Sequence, residues 1–138
     1  MTASASANVA AAGVALLMAH HVADYWVQTD RQACLKALPN WRGRWACVRH
    51  VVTYTLTCAL ALLITGAVTG TALFGWPAAI GLAGNAVAHY AADRRAPLRR
   101  LAAWLGKTDY WDNGGAAPLD QAFHIGCLFA VALLIGGR

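Results

Sequence analysis

Glutamate is absent from the sequence, and charged residues of all kinds make up only 12% of its 138 positions. A soluble domain carries roughly 25% charged residues, so about half of the usual solvated surface is missing. Apolar residues reach 59%, and no charged side chain occurs between Arg49 and Asp93. This shortage of charge excludes an ordinary soluble domain and predicts a small integral-membrane protein with a single domain.

The sequence also lacks the cysteine spacing of a zinc ribbon or of a disulfide framework. None of the four cysteines stands in a Cys-x-x-Cys pair, and two of them fall inside apolar runs. A free cysteine commonly packs as a small apolar side chain. We therefore expect reduced thiols at positions 34, 47, 58 and 127.

Four apolar segments are long enough to cross a membrane, which takes about 20 residues of α-helix. The first lacks the basic opening of a signal peptide and is interrupted by His20, His21 and Asp24, so we expect it to remain in the protein. An amphipathic helix with Leu98 and Leu101 on its apolar stripe is predicted to lie on the membrane surface. The sequence thus predicts an all-α, four-helix transmembrane bundle with spans at 8–28, 45–65, 73–93 and 118–136, an interfacial helix at 97–106, a turn at 66–70, a basic loop at 29–44 and an irregular loop at 109–115.

The distribution of basic residues predicts how the bundle is oriented. Ten of the eleven Lys and Arg residues lie in two segments, 31–49 and 94–107. Short loops rich in Lys and Arg stay in the cytoplasm, and four spans place these two segments on the same side. We therefore expect both termini to lie outside a bacterial cytoplasmic membrane, with the basic loops inside and in contact with anionic lipid headgroups.

The predicted spans carry ionisable groups, although an Asp at the centre of a span costs about 2.5–3.5 kcal/mol. In three of the spans an Asp and a His stand four residues apart, so that both side chains share one helix face. All of these groups fall near the cytoplasmic ends of their helices, where four helices would bring them to one level. The seven residues are His20, Asp24, His50, His89, Asp93, Asp120 and His124.

This pattern predicts a metal site. Helical bundles build di-metal carboxylate centres from imidazole and carboxylate groups on facing helices. Four neutral His and three Asp supply a charge of −3, which suits one or two divalent ions, and mixed nitrogen and oxygen ligation favours Zn, Fe or Mn. Asp24 or Asp93 is the candidate general base, and the residues expected beside the ligands are Gln28, Tyr54 and Asn85. The alternative is a polar network without metal, in which His–Asp hydrogen bonds fix the helix packing.

Three segments of the sequence resemble the motifs of an uncharacterised bacterial integral-membrane family, domain of unknown function 3307. They are residues 18–30 (MAHHVADYWVQTD), 89–93 (HYAAD) and 119–124 (LDQAFH), and together they keep the order and spacing of the family over nearly the whole chain. His21 and Tyr25 depart from the family pattern, and Arg94 and Arg95 replace a frequent Lys. The resemblance implies a polytopic membrane protein, similar in style to membrane-bound proteins classed as metal-dependent hydrolases.

Two functions are compatible with these features. The first is a metal-dependent hydrolase of a lipid-borne or membrane-proximal ester, phosphoester or amide. The second is a non-enzymatic membrane protein, such as an accessory of a mobile element or envelope complex, in which the His/Asp cluster is structural. Ion transport is disfavoured because the outer halves of the spans offer no polar path. Small residues such as Gly66 and Gly70 would permit a homo-oligomer, and no specific nucleic-acid binding is expected.

Overall fold

The computed structural model describes residues 3–137, and every regular element in that range is helical, which confirms the all-α prediction. Four long helices form the body of the protein, namely α1 (Ala3–Val22), α3 (Trp41–Thr69), α4 (Trp76–Asp93) and α7 (Ala116–Gly136). Three short helices lie between them in sequence, α2 (Asp30–Leu35), α5 (Ala96–Trp104) and α6 (Thr108–Tyr110). We call the end of the bundle formed by residues 28–44 and 94–115 the basic end.

Within the described residues, three helical stretches are long and apolar enough to cross a membrane: Ser4–Val27, Trp41–Thr69 and Thr108–Gly136. The fourth predicted span corresponds to α4, which is shorter, with 18 residues, and buries Asn85, His89 and Asp93 against its neighbours. At 1.5 Å per residue such a helix reaches about 27 Å, slightly less than the hydrocarbon thickness of a bilayer. Of the four long helices, α4 is the one without the apolar composition of a membrane span, and it packs against α3 and α7.

The helices run past four of the eight predicted span boundaries, because hydropathy marks only the apolar part of a helix. Helix α1 begins at Ala3 instead of residue 8, and α3 extends four residues beyond the prediction at each end. The side chain of Asn40 caps the start of α3 by accepting a hydrogen bond from the Gly43 N–H at 3.0 Å. The predicted turn at 66–70 is instead the last turn of α3, which ends at Gly70 with a left-handed φ of 67°.

The first basic loop contains a helix that the sequence analysis placed in a loop. Thr29 and Gln32 form a capping box, in which the Thr29 N–H donates to Gln32 Oε1 at 2.8 Å and the Gln32 N–H donates to Thr29 Oγ1 at 3.3 Å. These two bonds start helix α2 at Asp30. The segment predicted as a loop therefore contains a short, capped helix.

The second basic segment is also more ordered than predicted. Residues 109–115 are helical apart from Asn113 and Gly114, and the φ of 100° at Gly114 favours glycine. Gly115 packs against Tyr110, whose ring carbon would lie 2.4 Å from an added Cβ. Helix α5 corresponds to the helix predicted at the membrane surface. Of its apolar stripe, Leu98 and Ala102 are buried against the protein and Leu101 and Leu105 are exposed, and its position on a membrane stays a prediction.

The bundle core away from the basic end is apolar and closely packed. Small side chains let α1 and α7 approach each other, and an added Cβ at Gly136 would lie 2.2 Å from Val9 Cγ2. All four cysteines carry free thiols, as predicted, and Cys58 belongs to this core. The buried polar side chains are thus concentrated at the basic end, where α1 and α4 end and α3 and α7 begin.

Candidate metal centre

The seven His and Asp residues selected by their spacing meet at the basic end. In each of the three pairs the His nitrogen and the Asp oxygen are close, at 3.6 Å in α1, 3.3 Å in α4 and 3.6 Å in α7. Helix α3 contributes His50 to the same group. All four histidines are buried, and Asp24 lies in a π-helical turn, Ala23–Val27, that continues α1. Turns of this kind are frequent at functional sites.

Two imidazoles face each other at the centre of the cluster. His50 Nε2 lies 3.0 Å from His89 Nε2. Asp24 Oδ1 lies 3.3 Å from the first of these nitrogens and 3.8 Å from the second. Asp93 Oδ2 approaches the same two nitrogens at 3.4 and 3.3 Å. Two ligands of a tetrahedral zinc ion, with bonds of about 2.1 Å, stand about 3.4 Å apart, so these separations suit metal ligation.

The cluster contains two triads of possible ligand atoms, each with all members within 4.8 Å of one another. The first triad is Asp24, His50 and His89, and the second is His89, Asp93 and His124. His89 belongs to both triads. The remaining two members of the predicted set, His20 and Asp120, belong to neither.

Several buried atoms of the triads have no hydrogen-bond partner among residues 3–137. They include Asp24 Oδ1, Asp93 Oδ2 and both ring nitrogens of His124. Leaving a buried polar group unpaired costs on the order of 1–3 kcal/mol, and more for a charged group. A cation placed among these atoms would satisfy several of them at once.

Lys36 is part of the site, although it is not among the residues predicted from the sequence. Its Nζ lies 2.8 Å from Asp93 Oδ1, while Asp93 Oδ2 faces the histidines. Arg94 holds the Lys36 loop by donating to the backbone carbonyls of Lys36 and Leu38. No local pattern distinguishes Lys36 from the other basic residues of its loop. Its ammonium group offsets one of the three carboxylates, and a second carboxylate, Asp120, is 29% exposed instead of buried.

His20 forms hydrogen bonds with two side chains beside the triads, on α3 and α7. Its Nε2–H donates to Gln121 Oε1 at 2.9 Å, and its Nδ1 accepts from the Tyr54 hydroxyl at 3.1 Å. The Tyr54 ring lies against His89, with ring centroids 3.9 Å apart. Tyr54 is therefore beside the ligand groups as expected from its position one turn after His50, whereas Gln121 was not anticipated.

The other two residues expected beside the ligands are less closely connected with them. Asn85 is buried in α4 one turn before His89. Gln28 is half-buried, and its side-chain nitrogen has no hydrogen-bond partner among the described residues.

Comparison with known families agrees with the motif resemblance. Residues 13–137 match the family described as "Protein of unknown function (DUF3307)". The chain belongs to this family. No curated protein and no solved structure matches the chain.

A cleft opens beside the cluster of this DUF3307 protein, with a volume of about 430 Å³. Asp93 and Asp120 lie on its inner wall, next to the triads. Two basic residues, Lys36 and Arg95, and the ring of Trp111 line the rest together with small residues of the α6–α7 segment. The cleft lies at the basic end, with Asp93 and Asp120 of the cluster in its lining.

Proposed function

We propose that the His/Asp cluster binds a divalent metal ion. The observation that carries this proposal is the pair of triads that share His89 and contain buried ligand atoms without a hydrogen-bond partner in the described part of the chain. One imidazole nitrogen binds one ion, so the shared His89 favours a single ion over two. The mixed nitrogen and oxygen ligands favour Zn, Fe or Mn.

The setting of this site is a four-helix bundle in the bacterial cytoplasmic membrane, with both termini outside. Three helical stretches with the composition of membrane spans support this setting. Helix α4, which packs against two of them, would be the fourth span. The basic end would face the cytoplasm, because its loops carry the Lys and Arg residues. Exposed tryptophans suited to the membrane interface occur at positions 26, 41, 45, 76 and 104.

The function that this geometry supports best is hydrolysis of a membrane-associated substrate. A bound divalent ion would polarise the scissile group and activate water. In the reaction, water adds to the phosphorus or carbonyl carbon, its proton passes to a carboxylate, and the bond to the leaving group breaks as that group takes up a proton. Asp24 and Asp93 were the bases predicted from sequence, but both belong to the triads. Asp120 lies outside them on the cleft, so we assign it the role of base.

Metal content and hydrolysis test the two parts of this proposal. We expect detergent-purified protein to retain about one Zn, Fe or Mn ion per chain by elemental analysis. It should hydrolyse at least one of p-nitrophenyl acetate, p-nitrophenyl phosphate and bis(p-nitrophenyl) phosphate, and a chelator should abolish the activity.

A substitution separates ligation from catalysis. Asp120→Asn should keep the metal and reduce the hydrolysis rate by about 100-fold or more, which is the usual contribution of a general base. Protein that takes up none of the three metals would refute the metal site. An Asp120→Asn variant with normal activity would refute the assigned base.

The alternative is a non-enzymatic membrane protein, and the internal pairing of the cluster favours it. The Lys36–Asp93 ion pair and the hydrogen bonds of His20 join all four long helices and a loop without any metal. On this reading the cluster fixes helix packing. Full stability in the presence of a chelator, together with an absence of bound metal and of hydrolysis, would support it.

A further inference from the structure

Two basic side chains, Lys36 and Arg95, line the cleft together with Asp93 and Asp120 of the proposed metal site. This arrangement suggests the class of substrate. We propose that the metal-loaded cleft binds the phosphate group of an anionic substrate, with the Arg95 guanidinium as a direct contact. The inference rests on the metal site proposed above. The same phosphate chemistry could come from a lipid headgroup or from a soluble phosphate ester.

Arg95 occupies a backbone position that ordinarily suits glycine. Its φ of 60° is the one positive value at a non-glycine residue among residues 3–137. With a ψ of −43° it is the central residue of a tight turn, closed by the Ala96 N–H donating to the Arg94 carbonyl at 2.7 Å. Such a conformation costs about 1–3 kcal/mol, and strain of this kind tends to persist at functional sites.

Arg94 and Arg99 have side-chain partners, whereas Arg95 has no ion pair within the described part of the chain. Arg94 is bound to the loop that carries Lys36, and Arg99 forms an ion pair with Asp112 at 3.1 Å. Arg95 instead lines the cleft. A charged side chain at a strained position, facing a cavity and lacking a carboxylate partner, is available for an anionic ligand.

The charges around the cleft make anion binding depend on the metal. Lys36 and Arg95 do not fully offset Asp24, Asp93 and Asp120, so the metal-free site carries a net charge of −1, and a divalent ion changes this to +1. An anion is therefore attracted only when the ion is present.

A phosphate group fits the resulting site better than a carboxylate does. The ion, the ammonium group and the guanidinium group are three positive partners, and a phosphate monoester offers three terminal oxygens to them. Arginine also binds phosphate through two parallel hydrogen bonds. The small residues Gly114, Ala116 and Ala117 leave space in the cleft for such a group.

The test compares anion binding by full-length protein that has been purified, loaded with zinc and freed of excess metal. The probes are inorganic phosphate and acetate in detergent, and nanodiscs that contain either phosphatidate or only phosphatidylcholine. The main variant is Arg95→Gly, which removes the charge and relieves the backbone strain. The matched control is Arg100→Gln, which removes an exposed charge on α5 that does not line this cleft.

We expect Arg95→Gly to bind zinc normally, to unfold at the same or a higher temperature, and to bind phosphate about 10- to 100-fold more weakly, as for the loss of a charged hydrogen bond. Arg100→Gln should bind like the wild type, and metal-free protein should not bind phosphate. Binding of inorganic phosphate would indicate a soluble ester, and binding only in phosphatidate nanodiscs would indicate a lipid headgroup; either result supports the proposal.

Three results would overturn the inference: unchanged phosphate affinity in Arg95→Gly, an equal loss in Arg100→Gln, or equal affinity for acetate. Failure of the wild-type protein to bind zinc would instead refute the proposed metal site. Zinc binding without binding of either phosphate probe would refute only the substrate class.

Discussion

His89 is the one group that both ligand triads share, so replacing it with glutamine tests the metal site most directly. The side chain is fully buried, and its Nε2 lies 3.0 Å from His50, 3.3 Å from Asp93 and 3.8 Å from Asp24. Glutamine keeps a polar group of similar size in the bundle and removes the imidazole. We expect His89→Gln to fold and to lose most of its metal affinity.

The size of the effect follows from binding linkage. At a free metal concentration 100 times the Kd, the ion stabilises the folded wild-type protein by about 2.7 kcal/mol. Altering a group that only supports a metal ligand weakens affinity by about 10- to 100-fold, so losing the ligand itself should reach at least the upper value. With the affinity 100-fold weaker, the stabilisation at the same metal concentration falls to about 0.4 kcal/mol.

The assay is the unfolding midpoint of detergent-purified protein with and without metal, combined with elemental analysis. Each variant is compared with its own metal-free form, which removes the effect of the substitution on packing. His21→Gln is the matched control, because His21 is exposed and its Nδ1–H donates to the Leu17 carbonyl instead of to the cluster. Equal metal-dependent stabilisation of the His89 and His21 variants would refute the reasoning.

Two further predictions concern the fold. Gly136→Ala should lower the free energy of unfolding by about 1–3 kcal/mol, because α1 and α7 must separate to admit the methyl group. Gly126→Ala is the control, because its added carbon meets open space. This variant should leave the free energy of unfolding unchanged or raise it by up to about 1 kcal/mol. Denaturation in mixed detergent measures both, and equal effects would contradict the packing. Arg94→Gln should speed amide hydrogen exchange in residues 30–38, because the hydrogen bonds that anchor this loop are lost. Unchanged exchange there would show that the loop is held by other contacts.

The local part of the site could be predicted from the sequence. Residues four apart in a helix share a face, so the pairs His20–Asp24 and His89–Asp93 lie as close as their spacing indicates. Their meeting at one end of the bundle was predictable because consecutive long helices alternate in direction. The long helices were also predictable, because each of them contains a long apolar segment.

The remaining features depend on contacts between distant parts of the chain. His20 meets Gln121 across 101 positions of sequence, and Lys36 reaches Asp93 only because the loop folds back over the end of the bundle. The capping box of Thr29 and Gln32 was readable as a helix start, but the basic composition of the segment suggested a loop. The amphipathic pattern of α5 is real, yet a pattern alone does not tell whether protein or lipid covers the apolar stripe.

The Lys36–Asp93 ion pair bears on the order in which the chain is assembled. Synthesis proceeds from the N-terminus, so Lys36 and the two helices that flank its loop are made before α4 leaves the ribosome. On the proposed topology, Lys36 would already be in place to pair with Asp93 when α4, the long helix without the apolar composition of a span, enters the bilayer. Pairing with this cation would reduce the cost of burying the Asp93 carboxylate.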